Sequence, residues 1–304
     1  MEKFEVNILG CGSALPTSKR FTTSQVVNLR EKLFMVDCCE GAQILLRSSR
    51  LKFSRLNHIF LSHLHGDHCF GIPGLISSLG MLGRTGDLVI HGQADAQKIF
   101  KPLLDYFCKE LPFTVRFNTI NPSQSEVIFE DRSLRVHSIP LKHRVPTCGF
   151  LFEELPSKGH LIGDMIKFYK IPIRQLEQIK DGADFITEHG ELIANSRLTT
   201  AASAARKYAF CSDTAYSEKI IPYIQGIDLL YHEATFRDAD AARAKQTQHS
   251  TASQAAKIAS MAQVKQLMIG HFSARYPNPN ILLEEAIAIF PNTVLAQEGL
   301  VCRM

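Results

Sequence analysis

The sequence predicts an α/β fold, and two observations carry this prediction. Apolar runs of strand length alternate with segments of helical spacing through the second half of the chain. The first half is richer in strands and opens with several of them in succession. Because strands and helices that alternate in sequence pack against each other, we expect sheets that carry helices on one face.

The predicted elements follow one another from the N-terminus. Strands are expected at residues 4–9, 26–29 and 33–36, then a helix at 41–50 and a strand at 56–62. Further strands are expected at 87–90, 114–120, 127–130, 134–139 and 149–153, with a helix at 94–111. After residue 200, strands at 208–212, 229–232, 266–270 and 293–297 alternate with helices at 217–225, 251–263 and 281–290. Gly10, Cys11 and Gly12 predict a tight turn after the first strand.

Residues 154–200 lack this regularity. Prolines and glycines interrupt the segment at Pro156, Gly159, Pro172, Gly182 and Gly190, among side chains of both charges. The pattern predicts a protruding insertion or a long loop.

The composition is that of an ordinary globular protein of 304 residues, with 45% hydrophobic and 21% charged residues. A disordered chain is therefore excluded. The formal charge of +4 permits an RNA substrate but is too small to indicate nucleic-acid binding by itself.

The cysteines and the apolar segments bear on the cellular compartment. Eight cysteines occur without a Cys-x-x-Cys pair or a disulfide-like spacing, which favours reduced thiols in the cytoplasm. The N-terminus shows no secretory signal pattern. The most apolar long window, residues 70–83, is broken by glycine, proline and serine and is shorter than the roughly 20 residues of a membrane span. We expect a soluble, cytoplasmic protein with no membrane segment.

The strongest chemical signal is the histidine-rich segment His63-Leu64-His65-Gly66-Asp67-His68, which follows an apolar strand. Imidazole and carboxylate together suit zinc, manganese or iron. Side chains this close together at the end of a strand can reach two neighbouring ions, and a site for two ions needs further donors.

Three more donors follow apolar runs, namely His143, Asp213 and His271. Functional groups of α/β sheets lie beyond the ends of their strands. Because the donors extend from residue 63 to residue 271, they have to converge within one fold. The sequence thus predicts a single domain over residues 1–304, with the insertion as part of it.

Several further motifs occur in order along the whole chain. They are Gly10 to Thr17 (GCGSALPT), Asp37, the histidine-rich segment, Lys142 to Pro146 (KHRVP), Ser212 to Thr214 (SDT), His232 to Thr235 (HEAT), His249 to Thr251 (HST) and Gly270 to Ser273 (GHFS). With these motifs, the sequence resembles the ribonuclease Z family, the tRNA 3′-processing branch of the metallo-β-lactamase superfamily.

The resemblance implies a four-layer αββα sandwich with two zinc ions at one edge, or manganese in their place. His63, His65 and His143 would hold one ion, Asp67, His68 and His271 the other, and Asp213 would bridge them. Asp67 would also orient or deprotonate the attacking water, and His249, paired with Glu233, would protonate the leaving oxygen. Asp37 would support a ligand histidine.

The resemblance also implies the reaction. A metal-dependent phosphodiesterase of this family removes the 3′ trailer of precursor tRNA by endonucleolytic cleavage. The tRNA keeps a 3′-hydroxyl and the trailer receives a 5′-phosphate. Family members of this kind act as homodimers, and the insertion at residues 154–200 would serve as an arm that binds tRNA.

Five further side chains are candidates for substrate contact, each with a plainer alternative. Ser13 and Thr17 could contact a phosphate or cap a turn. Arg275 could bind a phosphate or lie on the solvated surface. Lys170 and Arg174 lie where relatives carry a Gly-Pro step that this chain lacks, and they could contact RNA or form an ordinary solvated face.

Two other functions compete with this interpretation. One is an enzyme of the same fold that acts on thioesters, β-lactams or cyclic nucleotides, since a fold alone does not fix the substrate. The other is an RNA-binding protein that has lost catalysis, which the full set of seven donors disfavours.

Overall fold

The computed structural model describes residues 3–156, 158–200 and 204–304. It contains two compact units. The larger one, here called the body, comprises the chain up to Glu130 together with Arg135–Glu153 and Arg206–Met304. The smaller one, the insertion unit, comprises Asp131–Leu134 and Glu154–Ala205.

The body contains two large sheets whose central strands are buried at nearly every position. Seven described strands form the first sheet: β1 (Phe4–Gly10), β2 (Ser24–Leu29), β3 (Lys32–Val36), β4 (Leu56–Phe60), β5 (Leu88–Gly92), β6 (Val115–Thr119) and, at its edge, β18 (Val301–Arg303). Their order is β18-β1-β2-β3-β4-β5-β6. Strands β1 to β3 pair antiparallel, and β3 to β6 pair parallel.

Seven described strands also form the second sheet. They are β7 (Val127–Glu130), β8 (Leu134–Pro140), β9 (Cys148–Glu154), β14 (Lys207–Cys211), β15 (Leu229–Glu233), β16 (Gln266–Gly270) and β17 (Thr293–Leu295), in the order β17-β16-β15-β14-β9-β8-β7. Strands β14 to β17 are parallel, so their carboxyl ends lie at the same edge of the sheet.

The two sheets face each other across an aromatic core. The ring of Phe60 on β4 lies 5.5 Å from that of Phe150 on β9, and Phe34 on β3 lies 6.3 Å from Phe152. All four side chains are fully buried. These contacts join the two sheets into the central layers of the body.

Helices form the outer layers. On the first sheet lie α1 (Ala42–Ser48), α3 (Ile72–Met81) and α4 (Ala94–Phe107), whose buried residues share one apolar cluster with that sheet. On the second sheet lie α10 (Ala252–Met261) and α11 (Asn280–Ile287), which contact β15, β16 and β17. The order helix, sheet, sheet, helix is the predicted αββα sandwich. Short helices in the body's loops are α2 (Gly66–Cys69), α8 (Ile221–Ile224) and α9 (Ala241–Thr247).

Three local predictions differ from the structure. The predicted helix at 94–111 ends at Phe107, because Cys108 leaves helical geometry at φ −120°. The predicted helix at 217–225 is a 3₁₀ turn, Glu218–Ile220, followed by α8. Gly10 and Gly12 form no tight turn, because Gly10 is the last residue of β1 and Gly12 forms β-bridges with Thr22 and Phe272. A Cβ on Gly10 would lie 1.9 Å from the Thr22 carbonyl oxygen. Glycine is needed there because two backbone segments lie in contact.

The insertion unit is a small folded unit rather than a long loop. Its elements are β10 (His160–Leu161), α5 (Gly163–Phe168), α6 (Leu176–Lys180), β11 (Phe185–Ile186), β12 (Leu192–Ile193), α7 (Asn195–Leu198) and β13 (Thr199–Thr200). Ile171, Ile179, Phe185, Ile193 and Leu198 form its own buried apolar cluster. The described part of the chain contains no helix with the length and apolarity that crossing a bilayer requires.

Candidate metal centre

Seven imidazole and carboxylate side chains meet beyond the strand ends of the body. The ligand atoms of His63, His65, His143 and Asp213 all lie within 4.8 Å of one another, and so do those of Asp67, His68 and His271. We call His63, His65 and His143 the first ligand set, and Asp67, His68 and His271 the second. The structure therefore brings together all seven side chains that the sequence predicted as metal ligands.

The local backbone explains this convergence. His63 and His65 follow β4, and α2 then begins at Gly66 and carries Asp67 and His68. His143 follows β8, while Asp213 and His271 follow the parallel strands β14 and β16. Chain ends of parallel strands meet at one edge of a sheet, so distant parts of the sequence share this place.

Asp213 lies between the two sets. Its Oδ1 atom is 3.2 Å from His68 Nε2 and 3.0 Å from His271 Nε2. Its Oδ2 atom is 3.6 Å from His63 Nε2 and 3.7 Å from His143 Nε2. Burial would raise the pKa of Asp213, but the surrounding histidines hold it well below its usual range. Each oxygen of this carboxylate thus faces a different set.

Unpartnered imidazole nitrogens show that the cluster fits a metal. The Nε2 atoms of His68, His143 and His271 are buried without a hydrogen-bond partner among the described residues. Such atoms are rare in folded proteins. On each ring the other nitrogen, Nδ1, is hydrogen-bonded away from the cluster. This leaves three Nε2 lone pairs for a cation, and the mixture of nitrogen and oxygen donors suits zinc or manganese.

The charges of the rings agree with this assignment. Burial lowers the pKa of His63, His65 and His143, so these rings are neutral near pH 7, the form that binds a metal. Burial would also lower the pKa of His68, but nearby carboxylates, with Asp213 first, raise it well above its ordinary value. The same carboxylates would favour a metal cation at the Nε2 atom of this ring.

Asp67 is the most exposed member of the second set. Its Oδ2 atom lies 3.3 Å from His68 Nε2 and accepts the Ala14 N–H at 2.8 Å. Burial would raise the pKa of Asp67, but His68 and His271 lower it strongly. The side chain is therefore an ionised carboxylate at neutral pH.

A buried network that starts at Asp37 orients two of the histidines. His68 Nδ1–H donates to Asp37 at 2.7 Å, and the Ser62 hydroxyl donates to the same carboxylate at 2.8 Å. His63 Nδ1 lies 3.0 Å from the Ser62 oxygen. Asp37 thus orients one ring in each ligand set, which is the kind of support that metal ligands require.

Glu233 and His249 form a pair beside the cluster. His249 Nδ1 lies 2.9 Å from Glu233 Oε1, and Glu233 is fully buried at the end of β15. Burial would lower the pKa of His249, but the Glu233 carboxylate raises it to about 9. A ring nitrogen of His249 lies within 4.8 Å of a carboxylate oxygen of Asp213 and of a ring nitrogen of His271. The structure thus places a protonated imidazole next to the site.

Sequence reasoning missed Ser62 and Thr235. The Thr235 hydroxyl donates to Glu233 Oε2 at 2.5 Å and lies 2.8 Å from His271 Nδ1. It therefore connects the Glu233 and His249 pair to the second ligand set. Alternation along an extended segment puts positions 233 and 235 on one side, and this signal could have identified Thr235 within the HEAT motif.

The five residues predicted to contact substrate have different surroundings in the structure. Thr17 caps a turn, because its hydroxyl accepts the Lys19 N–H at 3.2 Å. Ser13 is buried, and its N–H donates to Phe272 at 3.0 Å. Arg275 donates to Ser273 at 3.2 Å and lies 3.7 Å from Asp240. Lys170 and Arg174 are exposed and line a cavity of about 470 Å³ in the insertion unit.

Comparison with known proteins shows which proteins this chain is similar to in sequence and in fold. Residues 4–155, half of the chain, match the family model described as anti-Pycsar protein Apyc1. The chain is 60% identical over 300 residues to a ribonuclease Z of Parabacteroides distasonis, and the aligned region covers 99% of each chain. Its fold is similar to that of human tRNase Z, short form, with a TM-score of 0.70, 25% identity and 98% of each chain covered. It is also similar to a metallo-β-lactamase fold protein, YhfI of Bacillus subtilis, with a TM-score of 0.70, 18% identity and 100% of each chain covered.

The αββα layers and the cluster of imidazoles and carboxylates define a protein of the metallo-β-lactamase fold whose site can bind metal. The similarity over nearly the full length defines the branch within this class. The chain belongs to the ribonuclease Z family. The resemblance seen in the sequence, and the fold it implied, are confirmed.

Proposed function

We propose that this chain is a two-metal endoribonuclease that removes the 3′ trailer from precursor tRNA. The observation that carries the proposal is the position of Asp213, whose two oxygens face two different ligand sets. Such an arrangement suits two adjacent cations. The names of its ribonuclease Z relatives and of human tRNase Z supply the substrate.

The two ligand sets would each hold one ion, zinc or manganese, with Asp213 shared between them. When bound, two such ions lower the pKa of water and offset the charge that develops on a phosphate. Asp67 would orient the attacking water and accept its proton, since its carboxylate is ionised and lies at the site.

His249 would donate a proton to the leaving oxygen. Glu233 keeps this imidazole protonated and fixes its orientation. The bond from phosphorus to the 3′ oxygen of the tRNA breaks, and the oxygen of water joins the phosphorus. The tRNA then ends in a 3′-hydroxyl and the trailer begins with a 5′-phosphate, because the proton from His249 goes to the 3′ oxygen.

The experiment that tests this function maps the cut on a precursor tRNA with a 3′ trailer and analyses the new end of each product. We expect one cut after the acceptor end, with a 3′-hydroxyl upstream and a 5′-phosphate downstream. The same preparation is assayed on a cyclic nucleotide, a thioester and a β-lactam. Faster turnover of one of these, with the precursor left intact, would overturn the proposal.

The Asp67→Ala variant separates binding from cleavage. We expect it to bind precursor tRNA with unchanged affinity in a filter assay and to leave the trailer attached. Trailer removal at the normal rate would contradict the role given to Asp67.

We further propose that the protein forms a homodimer and acts in the cytoplasm. In each subunit, Lys170 and Arg174 of the insertion unit would bind tRNA. Helix α4 exposes a row of apolar side chains, Ile99, Leu103, Tyr106 and Phe107, which is the kind of surface that a second copy would cover. All eight cysteines lie in the described residues and have free thiols, as a reducing compartment requires. Light scattering on the purified chain tests the dimer, and a single-chain mass would exclude it.

A further inference from the structure

A groove of about 720 Å³ lies in the body beside the loop that carries His143. Residues 140–147, which include His143, form one wall. The rest of the lining consists of Pro122, Ser123, Tyr216, Ser217, Lys219 and Tyr223. The His143 side chain is itself fully buried among the other donors, so the groove borders the loop that carries this ligand and lies beside the metal centre.

The groove is positively charged. Lys142, Arg144 and Lys219 line it and are exposed, and none of them forms an ion pair with a described residue. The described lining contains no aspartate or glutamate. A groove with three unpaired cations attracts a polyanion.

The segment after His271, also in the body, is different. Its Arg275 lies 3.7 Å from Asp240, and Arg237 on a neighbouring loop lies 3.2 Å from Glu285. Carboxylates thus partly neutralise these cations. The contrast favours the groove with Lys142 and Lys219 as the path of a nucleic-acid strand.

Aromatic side chains accompany the cations. Tyr216 and Tyr223 both line the groove, and Tyr223 is 39% exposed. The Tyr216 hydroxyl donates to Glu218 at 2.8 Å, which fixes the position of this ring. Cations that contact phosphates, together with rings on which bases stack, are typical of sites for single-stranded nucleic acid.

We propose that this groove binds the unpaired nucleotides next to the scissile phosphate. Lys142, Arg144 and Lys219 contact their phosphates, and Tyr216 and Tyr223 stack on their bases. A cavity of this size holds a few nucleotides but no duplex. The inference rests on the proposed function and adds to it the position of the single strand.

The test compares two substrates on three variants. Lys219→Ala and Tyr223→Leu alter the groove, and Lys257→Ala removes an exposed lysine of α10, which is outside the groove, as a matched control. For each variant, kcat/KM is measured on precursor tRNA and on the small diester bis(p-nitrophenyl) phosphate, and the ratio of the two is compared with that of the unaltered chain.

We expect the ratio to fall about tenfold in Tyr223→Leu, because one stacked base is lost. In Lys219→Ala the slope of log KM against log salt should decrease by about 0.7, because one contact to a single strand is lost. Lys257→Ala should keep both values. Unchanged ratios and salt slopes in both groove variants would overturn the inference.

Two further measurements make the outcome specific. The first compares precursors that carry a trailer of one nucleotide with precursors that carry a trailer of several nucleotides. If the groove binds the trailer, the Lys219→Ala defect should disappear with the short trailer. If the groove binds the tRNA side of the cut, the defect should be the same with both. Hydrolysis of the small diester without any cut in precursor tRNA by the unaltered chain would refute the proposed function. Normal cutting with unaffected groove variants would refute the groove alone.

Discussion

The two ligand sets of the metal centre have three side chains each but are held in different ways. In the second set, His68 is bonded to Asp37 at 2.7 Å, His271 to Thr235 at 2.8 Å, and Asp67 to the Ala14 N–H at 2.8 Å. In the first set, His63 is bonded to the Ser62 hydroxyl at 3.0 Å and His143 to the Gln248 carbonyl at 3.1 Å.

The difference concerns where the supporting bonds lead. In the second set, His68 is bonded directly to the buried carboxylate of Asp37, whereas His271 and, in the first set, His63 reach Glu233 and Asp37 through one hydroxyl. The supporting bonds of the first set are longer, and His65 at its outer side is only half buried. Charged partners strengthen metal ligands. We therefore expect the second set to bind its ion more tightly, so that a chelator removes the ion of the first set first.

The largest effect is expected from Asp213→Ala, which removes the carboxylate that faces both sets. Both ions should be lost, and cleavage should fall by at least about a thousandfold, since each ion stabilises the reaction by several kcal/mol. Elemental analysis after gel filtration checks the metal content, and circular dichroism checks folding. Two ions per chain in the folded variant would contradict the position of Asp213 between the sets.

His249→Ala should lower the cleavage rate by about a hundredfold to a thousandfold and leave the metal content of both sets unchanged. The reason is that a proton donor is lost while the seven ligands stay in place. Single-turnover cleavage and elemental analysis measure the two quantities. A normal cleavage rate would contradict the role of His249 as proton donor. Loss of metal would show that His249 is a metal ligand.

Asp37→Asn should lower the metal affinity of the second set by about 10-fold to 100-fold. Its amide nitrogen no longer accepts the His68 Nδ1–H, whereas its remaining oxygen still accepts the Ser62 N–H at the Oδ1 position. Competition with a metal-binding dye measures both binding steps. If the first set weakens as much as the second, the two sets do not differ in the way described.

The smallest effect is expected for Thr235→Val, which removes the hydroxyl between His271 and Glu233. The second set should bind its ion about tenfold more weakly, because the lost partner is neutral. Thr235→Ser keeps the hydroxyl and should restore the affinity. Equal dissociation constants in all three proteins would show that Thr235 has no part in holding His271.

The sequence predicts those parts of this molecule that local pattern determines. The histidine-rich segment is compact, and His143, Asp213 and His271 each follow an apolar strand, so the ligands could be named before their geometry was known. The strands of the body follow their predicted bounds to within one or two residues for the same reason, except β18, which was not predicted.

The remaining features depend on contacts that sequence spacing does not contain. Ser62 supports His63 only because β3 brings Asp37 beside it. Helix α3 was not predicted, because Pro73 and Gly74 read as breaks, although proline is compatible with the first turn of a helix. The core of the insertion unit joins residues as far apart as Ile171 and Leu198 in a segment without clear periodicity.

Three residues of the site, Asp37, Asp213 and His271, adopt left-handed backbone conformations with φ between 56° and 58°. Glycine would relieve this strain, which costs on the order of 1 kcal/mol at each position. The buried hydrogen bonds and ion pairs of these side chains offset the strain, since each partner left unsatisfied by a glycine would cost about 1–3 kcal/mol. Stability and catalysis thus favour the same three residues, and a glycine at any of them would reduce both.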